Sequence, residues 1–407
     1  MRSPLPVSLL ALTSTALGAA VPQPQAVETE VDVPKTDYDA VVVGGGPAGL
    51  SALSGLARVR RNVLLIDSGD YRNQPTRHMH DVIGFDGVTP SYYRWAAREQ
   101  ISHYETITMT NGTVTSIEPR ENNTYFTVNT DGKDPVTARK IVLATGLHDI
   151  LPDTPGVREN WGLGIYWCPW CDGHEHADQG LGLIAPLREI AGLVREMVTL
   201  NEDVIAFVNG TDTPEERAAA EKSFPRWEDY LKIHNVGIEN GTIAAIHRLK
   251  NGTTDHDPSL PTYPEHDLFR VELEDGHSAE RNAFLTSFSD EQASWVGPDM
   301  GVRLDGGRLA ADPKKGLQTN IPGVYAIGDA NADNVTNVPH ALFSGKRTAV
   351  FLHVQLEREN SAAELEAFPE GGEDNIVERA NGLDERSLWE RMNGSPDELL
   401  YAGEYDQ

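Results

Sequence analysis

The amino-acid sequence predicts an α/β protein built from two strand–turn–helix–strand units. Three observations predict this. An apolar run, Tyr38-Asp39-Ala40-Val41-Val42-Val43, passes at once into Gly44-Gly45-Gly46-Pro47-Ala48-Gly49. A second run, Gly180 to Leu187, leads into a helix-like stretch, Arg188 to Leu200, and then the strand Asp203 to Val208. Between the two units stands Cys168-Pro169-Trp170-Cys171, which holds the only cysteines of the 407-residue chain.

The chain opens with a leader. Arg2 is basic, Val7 to Leu17 is a short apolar core, and Gly18-Ala19-Ala20 offers small residues for cleavage. Residues 1–20 therefore read as a signal peptide, since the apolar run is too short to span a bilayer. Residues 21–36, rich in Pro and acid, read as a linker or pro-segment. Asn-x-Ser/Thr acceptors at Asn111, Asn122, Asn209, Asn240, Asn251, Asn334 and Asn393 fit a secreted glycoprotein. The formal net charge of −28 argues against nucleic acid and anionic membrane as partners.

In the first unit the glycines have separate tasks. Gly44 makes the tight turn, Gly46 lets backbone approach a pyrophosphate, and Gly49 lets the helix pack on the strand. The helix runs to Val59, and the strand Asn62 to Ile66 ends at Asp67, where a ribose hydroxyl would be bound. A polar loop follows from Arg72 to Gly87, then a helix from Pro90 to Tyr104. Strands are expected near Thr106 to Ile117 and Tyr125 to Asn129. A buried strand, Lys140 to Leu143, ends in Ala144-Thr145-Gly146.

The Pro/Gly-rich crossing Leu151 to Asn160 suggests a boundary. A two-residue spacer lets Cys168 and Cys171 close a small, reversible disulfide ring. A structural staple would gain little from so short a loop, and zinc would need two more ligands. No metal site is expected, and His174 and His176 read as exposed loop histidines. Asp172 can carry protons during thiol exchange. In the second unit, Pro186 stands where backbone should approach phosphate, and Leu183, Ala185 and Leu187 add side chains there. Asn209-Gly210-Thr211-Asp212 offers no arginine pair for a ribose phosphate. The unit reads as a nucleotide domain that has lost its nucleotide site. Residues Ile233 to Thr286 read as short strands, with a loose loop from Asn251 to Glu265. The strand before Gly328-Asp329, a helix from Pro339 or His340 to Arg358, and an acidic tail complete the chain.

The motifs Gly44-to-Gly49, Ala144-Thr145-Gly146, Cys168-to-Gly173 and Val324-Tyr325-Ala326-Ile327-Gly328-Asp329 stand in the order of the low-molecular-weight thioredoxin reductases, which the chain resembles from about Asp37 to Glu357. The degraded second motif and the leader make it most similar to the secreted fungal sulfhydryl (thiol or glutathione) oxidases of that pyridine nucleotide-disulfide oxidoreductase superfamily. The resemblance implies two Rossmann-like three-layer domains. An FAD domain (37–152 and 285–360) is interrupted by a smaller degenerate NADPH-like domain (153–284), and residues 361–407 form a tail. It also implies a homodimer, and an enzyme that takes electrons from a small thiol and passes them to O2. Cys168 would face the substrate and Cys171 the flavin, with Asp172 as proton carrier and His340 as a possible second base. Pro47 and Ala48 belong to the FAD turn with the glycines; Thr145 and Gly146 line it, Asp329 binds the ribitol chain, and Ala341 approaches the flavin ring. Gln74 and Asp81 are carried over from a loop that differs from the bacterial pattern. Trp167 and Trp170 form either an apolar mouth for the thiol or ordinary packing. The alternatives are an NADPH-dependent disulfide reductase and a flavoprotein used only for binding.

Overall fold

The computed structural model describes residues 33–255 and 260–368. The leader, most of the following segment and the acidic tail beyond residue 368 lie outside the described residues.

The first unit opens with β1 (Tyr38–Val43), α1 (Pro47–Ala57), β2 (Val63–Asp67), α2 (Pro90–Ser102) and β3 (Ile107–Asn111). β4 (Val114–Arg120), β5 (Tyr125–Thr130) and β6 (Val136–Leu143) follow. The sheet order is β3-β2-β1-β6-β5-β4. β1, β2 and β3 are parallel, and β2 is buried along its whole length, which explains its unbroken apolar run. The strands expected near Thr106 to Ile117 are β3 and β4, and the chain turns between them at Gly112.

Chain passes to the inserted unit through β7 (Leu147–Asp149), followed by α3 (Val157–Asn160), β8 (Ile165–Tyr166), α4 (Pro169–Asp172), β9 (Leu181–Ile184), α5 (Leu187–Met197) and β10 (Val204–Phe207). Two helices come next, α6 (Pro214–Ser223) and α7 (Trp227–Ile233), and then β11 (Gly237–Glu239). β12 (Ile243–Lys250), β13 (Leu268–Leu273), β14 (Ser278–Arg281) and β15 (Ala283–Thr286) complete it. A parallel sheet, β11-β10-β9-β15-β8, lies between α5–α7 on one face and the antiparallel β12-β13-β14 on the other.

The return is β16 (Asp290–Gln292), antiparallel to β7, so a two-stranded ribbon joins the units. After α8 (Val296–Asp299), β17 (Leu304–Asp305) and β18 (Arg308–Leu309), β19 (Val324–Ala326) pairs with the second half of β6, where β5 has left it. The last helix, α9 (Val338–Ala367), runs past the expected end at Arg358. It seats on α1 through small residues: a Cβ on Gly345 would lie 2.3 Å from the Ala48 carbonyl oxygen.

Candidate active site

One cleft of about 380 Å³ gathers most of the predicted residues. Its floor is the turn Gly44 to Ala48 at the start of α1. Thr145 and Gly146 leave β6 on one side; Gly328, Asp329 and Ala341 close the other. Gly44 has φ +109°, and a Cβ on Gly49 would lie 2.0 Å from the Gly44 carbonyl oxygen. Both positions therefore require glycine. A Cβ on Gly46 would meet nothing within 4 Å, so this is the open floor a phosphate needs. The Thr145 hydroxyl is buried without a protein partner. The cleft is long, lined with small residues and closed by a helix N-terminus. These features fit the FAD that the family typically binds.

The cysteine turn forms the far wall. Cys168 caps α4, and the Cys171 and Asp172 amides donate to its carbonyl at 3.1 and 3.3 Å. The sulfurs are bonded, with Cα atoms 5.2 Å apart. Trp167 and Cys171 line the cleft and Cys168 does not. Trp167 stacks on Trp161 at 5.0 Å, whereas Trp170 is exposed. Burial first, then the charges of Glu265 and Glu175, push the Asp172 carboxyl well above its ordinary range; Arg77 opposes them. Asp329 is also raised by burial, against the pull of Arg72.

Arg72 opens the polar loop, and its role is not marked in the sequence. Its guanidinium reaches Asp149 of β7 at 3.0 Å, Asp329 at 3.1 Å and Asp290 of β16 at 3.8 Å. It ties the cleft to the ribbon between the units. Nothing local in the sequence marks this, because all three acids are distant in the chain.

Several expected residues sit elsewhere. Asp67 lies beneath the glycine turn and is not on the cleft wall. Its oxygens accept from the Gly45 and Gly69 amides, Tyr71 and Arg98, so the ribose role expected for it does not fit. Gln74 and Asp81 are exposed in turns off the cleft, and Asn73 lines it in their stead. His340 stands beside Ala341, but its Nε2 pairs with Asp333 at 2.6 Å, off the wall. His176 is not an exposed loop residue: it is 1% exposed. Glu265 and Asp267, at the end of the loop expected to be loose, are buried beside it.

At the second unit's turn, Pro186 caps α5, and the Leu187 amide donates to the Thr211 hydroxyl at 3.0 Å. Glu189 lies in the first helical turn and accepts from Ser287 at 2.5 Å. Leu183, Ala185 and Leu187 point into the core, so they do not obstruct the turn as expected.

A dinucleotide-type cleft faced by a Cys-x-x-Cys disulfide defines a flavin-type disulfide oxidoreductase. The sequence profile of the pyridine nucleotide-disulphide oxidoreductases matches residues 38–183. A relative from Arthroderma benhamiae, named "Probable thioredoxin reductase", is 46% identical over 89% of this chain and 90% of its own. The crystal structure of HlmI is 30% identical, covers 81% of this chain and 96% of its own, and superposes with a TM-score of 0.67. The Bacillus anthracis putative thioredoxin reductase TrxB has the same fold: TM-score 0.68, 22% identity, over 79% of this chain and 99% of its own. The chain belongs to the pyridine nucleotide-disulphide oxidoreductase family, in its thioredoxin-reductase-like part.

Proposed function

We propose that this protein is a secreted, FAD-dependent thiol oxidase that converts two small thiols (glutathione or similar) and O2 into a disulfide and hydrogen peroxide. The observation that carries the reading is the closed α5 N-terminus. Pro186 removes one amide, Thr211 occupies the next, and Glu189 places negative charge where a pyrophosphate would need N–H groups. Electrons then have to enter from thiols. The leader supports an extracellular site, where NADPH is scarce and conditions are oxidising. The sequon asparagines among the described residues are all exposed, which suits glycosylation. The homodimer belongs to the same proposal and rests on family resemblance.

The FAD, when bound, supplies a two-electron acceptor beside Cys171. The chain's own part is thiol–disulfide exchange. A substrate thiolate bonds to Cys168 Sγ, the Cys168–Cys171 bond breaks, and Cys171 takes the electron pair. A second thiolate then displaces Cys168 from the mixed disulfide and releases the product. Asp172, its carboxyl pushed well above the ordinary range, gives its proton to an expelled cysteine sulfur. Trp161 and Trp167 hold the turn against the cleft.

A second reading, an NADPH-dependent disulfide reductase, is favoured by the printed name of the Arthroderma benhamiae relative. One experiment separates the two: oxygen uptake with a panel of thiols, together with rapid anaerobic mixing of the oxidised enzyme with NADPH. The oxidase reading expects thiol-dependent uptake and no flavin bleaching by NADPH. Bleaching within a turnover would overturn it in favour of the reductase.

A further inference from the structure

Behind the cysteine turn lies a buried cluster of ionisable side chains that the thiol chemistry above does not use. His176 has no hydrogen-bond partner at either ring nitrogen. Its Nε2 lies 3.7 Å from an Asp267 oxygen and 3.9 Å from a Glu265 oxygen. Its ring meets Tyr166 edge-on at 5.5 Å, and the Tyr166 hydroxyl is also buried without a partner. Buried polar groups almost always find partners. An imidazole left open against two carboxylates is therefore placed to gain a proton.

The charges around it leave an excess of acid even before Asp172 is counted. Glu175, Glu265 and Asp267 face two guanidinium groups, Arg77 on Glu265 and Asp267, and Arg248 on Asp267. His80 approaches Glu175 at 3.4 Å and His78 approaches Glu265 at 3.8 Å. Asp172 would add a fourth carboxylate, and burial first, then Glu265 and Glu175, push its carboxyl well above the ordinary range. Burial likewise pushes the His176 imidazole down, although Glu265 and Asp267 pull the other way. The Glu265 charge thus favours a proton on both Asp172 and His176. His176, Glu265 and Asp267 also bring their donor atoms together closely enough to suit a metal ion. However, Arg77 Nη1 already bonds the same Glu265 and Asp267 oxygens, so the resident cation is a guanidinium.

We propose that His176 is a positioning residue for the disulfide exchange: it takes up a proton each time Asp172 gives one to a cysteine sulfur, so the buried cluster keeps its charge. The inference rests on the reading of Cys168–Cys171 as a thiol-exchanging pair. The balance is simple. As the S–S bond breaks, the Asp172 O–H bond breaks and an S–H bond forms on the expelled sulfur. An N–H bond forms on His176 with a proton from solvent. When the disulfide recloses, Asp172 regains its proton and His176 releases its own. The proton steps themselves oxidise and reduce nothing.

The test uses the full-length flavoprotein with His176→Gln, Asp172→Asn and the double variant. Opening of the disulfide by dithiothreitol is followed anaerobically, by alkylation of the new thiols, across about pH 5.5 to 9. His176→Gln is expected to slow opening about tenfold near neutral pH, the effect of about one pK unit, and to flatten the pH profile. In the Asp172→Asn background the same change should cost less than about twofold, because the two act as a unit. A second measurement needs no change at His176. In 15N-histidine-labelled protein, one solvent-protected imidazole should become protonated when the disulfide opens, and should not do so in Asp172→Asn. An unchanged pH profile in His176→Gln, multiplicative losses in the double variant, no such imidazole, or stoichiometric bound metal at the cluster would each overturn the inference. If dithiothreitol left the wild-type disulfide closed, the parent reading itself would fail.

Discussion

Replacing Arg77 by methionine tests how firmly the two units are held together. Arg77 leaves the loop after β2 in the first unit and ends in the inserted one. It contacts Glu265, and it bonds Asp267 at 2.7 and 3.1 Å. The three side chains are 10%, 6% and 0% exposed. Removing one partner of a buried pair costs about 3–5 kcal/mol, because the charge left behind stays desolvated. Arg248 still serves Asp267, so the low end, about 3 kcal/mol, is expected here. For a 407-residue chain that corresponds to a fall in Tm of about 3–5 °C. The sign of the pH dependence sharpens the test. Burial alone would raise Glu265; His78 and the bonded, charged Arg77 outweigh it and hold the carboxyl below its usual range. The wild-type contribution is therefore full above that range and fades as pH falls through it. Without Arg77 the carboxyl shifts upward, so the variant should be worst near neutrality and recover as Glu265 takes a proton. Urea unfolding at pH 7.5 and 5.0, followed by tryptophan fluorescence, reads both effects. A loss under about 1 kcal/mol, the scale of an exposed pair, or a deficit that does not shrink in acid would refute the reasoning.

Other expectations follow from the cleft and the turn. The purified protein should be yellow and release FAD on denaturation; a folded protein without flavin absorbance would remove the cofactor assignment. Gly49→Val should abolish flavin binding, because its side chain would meet the Gly44 carbonyl oxygen, which is backbone and cannot swing away; near-normal flavin content would contradict the turn's role. Cys168→Ser and Cys171→Ser should each remove thiol-driven oxygen uptake while leaving flavin bound, and turnover in both would make the disulfide structural. Stability should also fall from about pH 6.5 downward, because burial depresses His176 and only the unfolded imidazole takes its proton there. His176→Gln should remove that part of the acid sensitivity in a Tm-against-pH series.

The sequence made some parts legible and hid others for physical reasons. β1, the glycine turn and α1 could be read because a phosphate floor demands glycine at fixed spacing. The second unit's strand–helix–strand order was also visible, since apolar runs survive when a turn loses its ligand. α6 and α7 were not read, although Thr213 before Pro214 is a helix start: the Thr213 hydroxyl accepts from the Glu216 amide. Asp67 stands where the motif places a ribose acid, but Arg98 and Tyr71 arrive from elsewhere and claim it. His176 was misread for the same kind of reason. Its burial depends on Glu265 and Asp267, which local sequence cannot connect to a histidine beside the cysteines.

The seam between α1 and α9 bears on how the molecule is made. The Ser51 hydroxyl donates to the Leu342 carbonyl across 291 residues of chain. A ribosome adds about 5–20 residues each second, so β19 and α9 emerge seconds after β15 has completed the inserted unit. For that interval the nascent protein holds a finished cysteine turn and an unfinished flavin cleft. Its disulfide can thus close before flavin takes part. Loading of the cofactor becomes the closing event of biosynthesis, so flavin shortage would leave behind oxidised, colourless protein rather than unfolded chains.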